Sequence, residues 1–404
     1  MPVPVLKLNA IQVLALAAFG VLLGGWVKNR VRLFDRLNIP APVIAGLAYA
    51  LLALVVRDRY LNVEMDLVLR DILMVAFFTT VGMSASVRLI RQGGAQVVLF
   101  FALATFAAVL QNLLGMALAR LFGLNPFIGI ISGSVALTGG PATALAFGRT
   151  FEDLGVSGAS TLGIASATFG ITAGGLLGGH IGGWLIRRHR LPVAARKPSR
   201  TPASIPTESH VPEEHQDDEH SPLLRNVVAV SIAMGLGTLL SAGFTSLGLI
   251  LPAYVGAMIA AGVLRNADDR LGILKISQHH LDTIGNISLH LFIVMALLTL
   301  RLWELVHLAV PMLVMLAAQV ALVWLLCITL SFRLMGRDYD SAVMAGGFCG
   351  FMLGTTANAL ACMDVLARKY GPAPRAFIVV PLVGAFLIDF TNALIITAMI
   401  NLLR

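Results

Sequence analysis

Pro40-Ala41-Pro42-Val43-Ile44-Ala45 returns 212 residues later as Pro252-Ala253-Tyr254-Val255-Gly256-Ala257. Arg120-Leu121-Phe122-Gly123 returns as Arg333-Leu334-Met335-Gly336 at an offset of 213, and Thr143-Ala144-Leu145-Ala146 as Asn358-Ala359-Leu360-Ala361 at an offset of 215. Echoes in so steady a register divide the chain into two copies of one unit. Each copy carries a Gly/Thr-rich interruption inside apolar sequence, the pattern of secondary transporters, in which substrate and ion bind between repeats.

Composition points the same way. With 57% apolar and 12% charged residues over 404 positions, the chain has more apolar surface than a water-soluble core can hide, and lipid must cover the rest. Cys327, Cys349 and Cys362 lie in apolar stretches without metal-ligand spacing, so neither a disulfide framework nor a zinc site is indicated. The net charge of +8 does not indicate nucleic acid, because the basic residues cluster at the ends of apolar segments, as topology signals do.

Apolar runs near spanning length read as helices at about 9 to 27, 40 to 56, 70 to 86, 95 to 121 and 157 to 186, then 227 to 246, 249 to 264, 284 to 300, 308 to 334 and 376 to 402. The expected fold is all-α and membrane-embedded, with ten transmembrane helices. An odd number of spans per copy makes the two five-helix repeats inverted. Residues 1–190 form the first repeat and 226–404 the second.

With the N-terminus outside, 21 of the 29 Lys and Arg residues fall on cytoplasmic segments. This bias places both termini outside and the linker inside. The linker, 191–225, carries the acidic run Glu213-Glu214-His215-Gln216-Asp217-Asp218-Glu219 and reads as a disordered tether too poor in apolar residues to build a core.

Two segments are too interrupted to span. In 126–150 an apolar run ends at Thr138-Gly139-Gly140-Pro141, and in 341–363 the break is Leu353-Gly354-Thr355-Thr356-Ala357-Asn358. Each is expected to enter and leave on one side, the first from outside and the second from the cytoplasm. Unwound backbone at that depth requires a protein or water-filled surround. Thr138, Gly139, Gly140, Thr143, Gly354, Thr355, Thr356 and Asn358 are therefore candidate substrate contacts: glycine admits a ligand close to the backbone, and hydroxyl and amide groups supply partners. Free N–H groups at the start of each second arm suit a carboxylate.

Asp389 lies mid-span in the last helix with no basic partner nearby in sequence, an arrangement costing about 2.5 to 3.5 kcal/mol on insertion scales unless offset. Sodium held by Asp389, Asn392 and the amides Gln111 and Asn112 would offset it, and a proton on the same acid is the alternative. No catalytic constellation, P-loop or cofactor motif appears, so the chain is not expected to be an enzyme or to carry a cofactor besides the coupling ion. A passive channel is the rival from another class. Against it stands the single acid in only one repeat, which suits an occluded ion site.

At Ala76-Phe77-Phe78-Thr79-Thr80-Val81-Gly82, Gly133-Ser134-Val135-Ala136-Leu137-Thr138-Gly139-Gly140, Ala167-Thr168-Phe169-Gly170, Gly285-Asn286-Ile287-Ser288-Leu289 and Val380-Pro381-Leu382-Val383-Gly384, the chain resembles the sodium/glutamate symporter family of bacterial inner membranes. The resemblance implies Na⁺-driven uptake of glutamate, inverted repeats with re-entrant segments, and a homodimer that moves its substrate domain like an elevator. Two loops depart from the family pattern. After its glycine pair the family continues with histidine, glycine, threonine and glycine, where this chain has Pro141-Ala142-Thr143-Ala144. Its second loop usually reads glycine, alanine, threonine, proline, threonine, against Gly354-Thr355-Thr356-Ala357-Asn358 here. Both departures bear on which small carboxylate is carried.

Overall fold

The computed structural model describes residues 3–37, 39–57, 59–87, 94–192, 222–300 and 308–403. The chain is almost wholly α-helical. In order the helices are α1 (Ala10–Arg30), α2 (Ala41–Val56), α3 (Val68–Ser84), α4 (Gly94–Leu121), α5 (Pro126–Val135), α6 (Gly140–Asp153) and α7 (Ala159–Arg188). They continue with α8 (Pro222–Ser246), α9 (Ala253–Leu271), α10 (Gln278–Leu297), α11 (Ala309–Leu334), α12 (Tyr339–Met352), α13 (Thr356–Tyr370) and α14 (374–403).

By length and apolarity, α1, α4, α7, α8, α10 and α11 can each cross a membrane, which makes this a multi-pass membrane protein. Most of the linker, 193–221, lies outside the described residues, as do Arg88 and Arg91. Helix α8 begins at Pro222, inside the stretch expected to be linker, because proline lacks only the N–H that a first helical residue leaves unbonded. An unanticipated feature is a short parallel pair, Val5–Leu8 with Asn62–Met65, fastened by a Lys7–Glu64 ion pair at 3.2 Å.

Helix starts follow local chemistry. Asn9 and Gln12 cap α1 reciprocally, Pro40 and Pro252 precede α2 and α9, and Asn125 accepts from the Phe127 N–H to open α5. At α12 Asp338 accepts from the Ser341 N–H (2.9 Å) and from Arg375 at the start of α14 (2.7 Å to the second oxygen). Burial pushes the Asp338 carboxyl up, but the hydroxyl and N–H of Ser341 together with the Arg375 guanidinium outweigh it, holding this acid below its ordinary range.

The helices sort into two packed groups. Helices α1–α3 pack with α8–α10, whereas α4–α7 pack with α11–α14. Within the second group, Phe100, Leu185, Phe348, Phe351, Met352 and Val380 belong to one continuous buried cluster. Aromatic rings bridge the seam between the groups: Tyr254 of α9 meets Phe78 of α3 (5.0 Å between centroids) and Phe147 of α6 (5.2 Å).

Candidate site at the meeting of two broken helices

An α5 of ten residues is about 15 Å long, and α6, α12 and α13 are about 21–23 Å, all short of the roughly 30 Å hydrocarbon core that α7 exceeds at about 45 Å. Each pair of short arms folds into a hairpin beside α7. The open end of the first hairpin sits at the start of α7: Phe127 packs on Phe151 at 5.3 Å, and the Ser160 N–H donates to Glu152. The second opens at the other end of α7, where Arg187 donates to the Tyr370 hydroxyl (2.9 Å) and the Tyr339 hydroxyl donates to the Gly371 carbonyl. The two hairpins thus approach from opposite ends and meet midway along α7.

At the meeting point, Gly140 has φ +66°, and a Cβ placed there would lie 3.4 Å from Thr355 Cγ2 and 3.7 Å from the Gly354 carbonyl oxygen. Gly170 of α7 lies so close to the Leu353 carbonyl that a Cβ would stand 2.3 Å from its oxygen. Only glycine lets the second break rest against α7.

Side chains from distant elements lock this junction. The Gln111 amide donates to the Met352 carbonyl (2.9 Å) while its oxygen accepts from the Thr138 hydroxyl (2.6 Å), so one residue of α4 ties both breaks together. Gln319 of α11 donates to the backbone carbonyl of Gln111 (2.6 Å). Asn358 donates to the Ile171 carbonyl of α7 (2.8 Å), and the Thr356 hydroxyl donates to the Gly384 carbonyl of α14. Thr143 is buried against Gly139, and Thr355 caps α13 by accepting from the Asn358 N–H.

The first hairpin carries a further break that the sequence reading missed. Gly133 has φ −96° and ψ −130°, outside helical space, and the next residue is gripped from both sides. The Ser134 N–H donates to Asn112 (2.9 Å), and Asn392 donates to the Ser134 carbonyl (3.0 Å). The remaining amide atoms of these two residues, Asn112 Nδ2 and Asn392 Oδ1, are buried without a partner among the described residues, as are the hydroxyls of Ser132 and Ser134 and the side-chain oxygen of Gln319. Burying one such group unpaired costs about 1–3 kcal/mol, so a water or ligand bonded to them would offset that cost.

Asp389 stands one turn before Asn392 on the same face of α14, just after a wide turn at Val383–Leu387. It is half-buried and makes no hydrogen bond or ion pair among the described residues. No group of three His, Cys, Asp or Glu residues could hold a metal among the described residues, so a hard cation here would be bound by one carboxylate and neutral oxygens.

The structure thus brings Thr138, Gly139, Gly140, Thr143, Gly354, Thr355, Thr356, Asn358, Gln111 and Asn112 into one junction, with Asn392 joined to it through Ser134. Asp389 lies along α14 from it. A second polar cluster, not anticipated from sequence, sits at the seam near the start of α7. Arg149 of α6 donates to both oxygens of Asp71 on α3 (2.8 and 2.9 Å), and the nearly buried Arg70 contacts the same carboxylate at 2.7 Å. Cavities of about 770 and 470 Å³ flank this cluster, and neither is lined by Thr138 or Thr355. The signal in sequence was thin: Arg149 is the one basic residue in the 126–150 segment.

Comparison with known proteins identifies the family. A family model described as sodium/glutamate symporter matches residues 6–372. The sodium/glutamate symporter of Escherichia coli (strain K12) is 36% identical over 397 residues, covering 96% of each chain, and that of Shigella flexneri gives the same values. The sodium/glutamate symporter of Haemophilus influenzae (strain ATCC 51907 / DSM 11121 / KW20 / Rd) is 32% identical over 408 residues, covering 97% of this chain and 98% of the relative.

Proposed function

The chain belongs to the sodium/glutamate symporter family, and from that premise we propose that it carries L-glutamate or a closely related small carboxylate into the cell, driven by an inward Na⁺ gradient. The observation that carries the reading is the junction itself. Two broken helices approach from opposite ends of α7 and touch at Gly140 and Thr355, surrounded by buried polar atoms that lack partners.

In this reading the substrate carboxylates lie against the backbone N–H groups and hydroxyls of Thr138–Gly140 and Gly354–Asn358, with Thr143 lining the same space. No arginine is needed, because N–H groups at the starts of α6 and α13 supply the positive potential. Asp389, Asn392 and Asn112 hold Na⁺, and Gln111 couples the ion side to the substrate side through its bonds to Thr138 and Met352. A cation there offsets both the lone carboxylate and the substrate's charge, so each ligand favours binding of the other.

The five spans of each half are inverted relative to each other. Both termini lie in the periplasm and the linker in the cytoplasm, and the protein sits in a bacterial inner membrane as a homodimer. Transport proceeds by an elevator displacement of α4–α7 and α11–α14 against α1–α3 and α8–α10. The sparse packing between these groups, compared with the packing inside each, supports that division.

The test is uptake of radiolabelled L-glutamate into proteoliposomes. Concentrative uptake should require inward Na⁺, and Asp389→Asn should abolish the Na⁺ dependence. Uptake driven only by a pH gradient would overturn the Na⁺ assignment in favour of a proton on Asp389.

A further inference from the structure

At the end of α7 remote from the Asp71–Arg149 seam, α7 and α11 enclose a recess of about 450 Å³ lined by His189, Ile328, Phe332, Arg333 and Arg337. Its floor is apolar and its rim is basic. The His189 ring lies over that of Phe332, with centroids 4.8 Å apart, and the wide turn Cys327–Ser331 sets Ile328 in the wall. Beyond α11 the chain doubles back through Gly336 (φ +120°) and Arg337 (φ +57°), with the Arg337 N–H bonded to the Phe332 carbonyl at 3.1 Å. That left-handed turn brings Arg337 to the same recess as Arg333.

The charges here are unbalanced. His189, Arg333 and Arg337 make no ion pair or side-chain hydrogen bond among the described residues. The nearest carboxylate in sequence, Asp338, is already committed to Arg375 and Ser341. Guanidinium groups present paired donors suited to phosphate oxygens. On the same helix, α11 turns Trp324, Leu325 and Leu334 outward, 45–49% exposed, giving an apolar face along which acyl chains can lie.

We infer that this recess binds the phosphate of an anionic phospholipid, with the two arginines on the headgroup and the chains along α11. The inference rests on the topology proposed above, which puts this end of α7 at the cytoplasmic leaflet, where anionic lipid attracts basic residues. It is independent of the substrate and the coupling ion.

The test reconstitutes the full-length protein in vesicles of phosphatidylcholine alone, phosphatidylcholine with phosphatidylglycerol in equal parts, or phosphatidylcholine with added inorganic phosphate. Phosphatidylglycerol should raise the thermal unfolding midpoint, and inorganic phosphate should not. In detergent, native mass spectrometry should show the R333Q/R337N variant holding phosphatidylglycerol about 30-fold more weakly, the effect of two basic side chains near a lipid surface. Asparagine is chosen at 337 because it tolerates left-handed backbone, so the variant should fold. R333K, which keeps the charge, should retain most of the binding. Equal stabilisation by inorganic phosphate would make free phosphate the ligand and overturn the lipid assignment. Undiminished lipid retention by R333Q/R337N would overturn the site. Either failure would leave Na⁺-driven glutamate uptake untouched.

Discussion

Replacing Asn392 with leucine separates the ion side of the junction from the rest of the fold. The side chain is fully buried, its Nδ2 donates to the Ser134 carbonyl at 3.0 Å, and its Oδ1 has no partner among the described residues. Leucine has the same branching and the same number of heavy atoms but slightly bulkier ends, so no cavity forms. What is lost is one of two donors to a buried carbonyl, which keeps the Gly139 N–H at 2.9 Å, and one oxygen offered to Na⁺. Each such loss is worth about 1–3 kcal/mol, and a single one acting on the ion-bound state alone raises the Na⁺ concentration for half-maximal uptake by about 5- to 150-fold. The assay is the initial rate of L-glutamate uptake into proteoliposomes as external Na⁺ is varied. A thermal unfolding midpoint measured without Na⁺ reports whether the fold survives. Asn392→Asp, which keeps an oxygen at the site, should retain Na⁺ dependence. A folded Asn392→Leu protein whose Na⁺ half-saturation stays within about twofold of wild type, against the losses above, would refute the assignment of this residue.

Gly170→Ala places a Cβ 2.3 Å from a backbone oxygen and should lower stability by about 1–3 kcal/mol, while Gly179→Ala, whose Cβ meets only Val365 at 3.7 Å, should be neutral or slightly stabilising; thermal melts of both distinguish a true contact from general helix sensitivity. Asp71→Arg and Arg149→Asp should each slow transport and the double reversal should recover it. The coupling energy expected is about 0.2–1 kcal/mol, because both side chains are nearly half exposed, and additive losses would argue against a seam contact. Asp338 has a lowered pKa in the folded state, so its contribution is present above the unfolded value of about 3.9 and fades as pH falls through the lower folded value. Wild type should therefore lose thermal stability more steeply than Asp338→Asn below about pH 4, and parallel curves would contradict the clamp.

Some of this molecule is legible one residue at a time. Pro40 and Pro252 open helices because proline suits a first turn, and Thr138-Gly139-Gly140 and Gly354-Thr355 break them because glycine and threonine give poor helix interiors. Those local rules locate both hairpins to within a few residues. The first arm nevertheless has its kink at Gly133, within Ser132-Gly133-Ser134, ahead of the more conspicuous Thr138-Gly139-Gly140-Pro141 break. What local rules cannot reach are the long-range partnerships. Gln111 meets Met352 across 241 residues and Asp71 meets Arg149 across 78, so neither pairing leaves a spacing to read. The two-strand pair at Val5–Leu8 escaped for a different reason: it is short and exposed, and its pairing is fixed by chain geometry rather than by apolar alternation.

The most direct measurement is a cryo-electron microscopy map of the purified protein with saturating L-glutamate and Na⁺. The account predicts substrate density between Thr138–Gly140 and Gly354–Asn358, with an ion beside Asn392 and Asp389. Glutamate density in the seam cavities beside Arg149 and Asp71, with the hairpin junction unchanged, would contradict it.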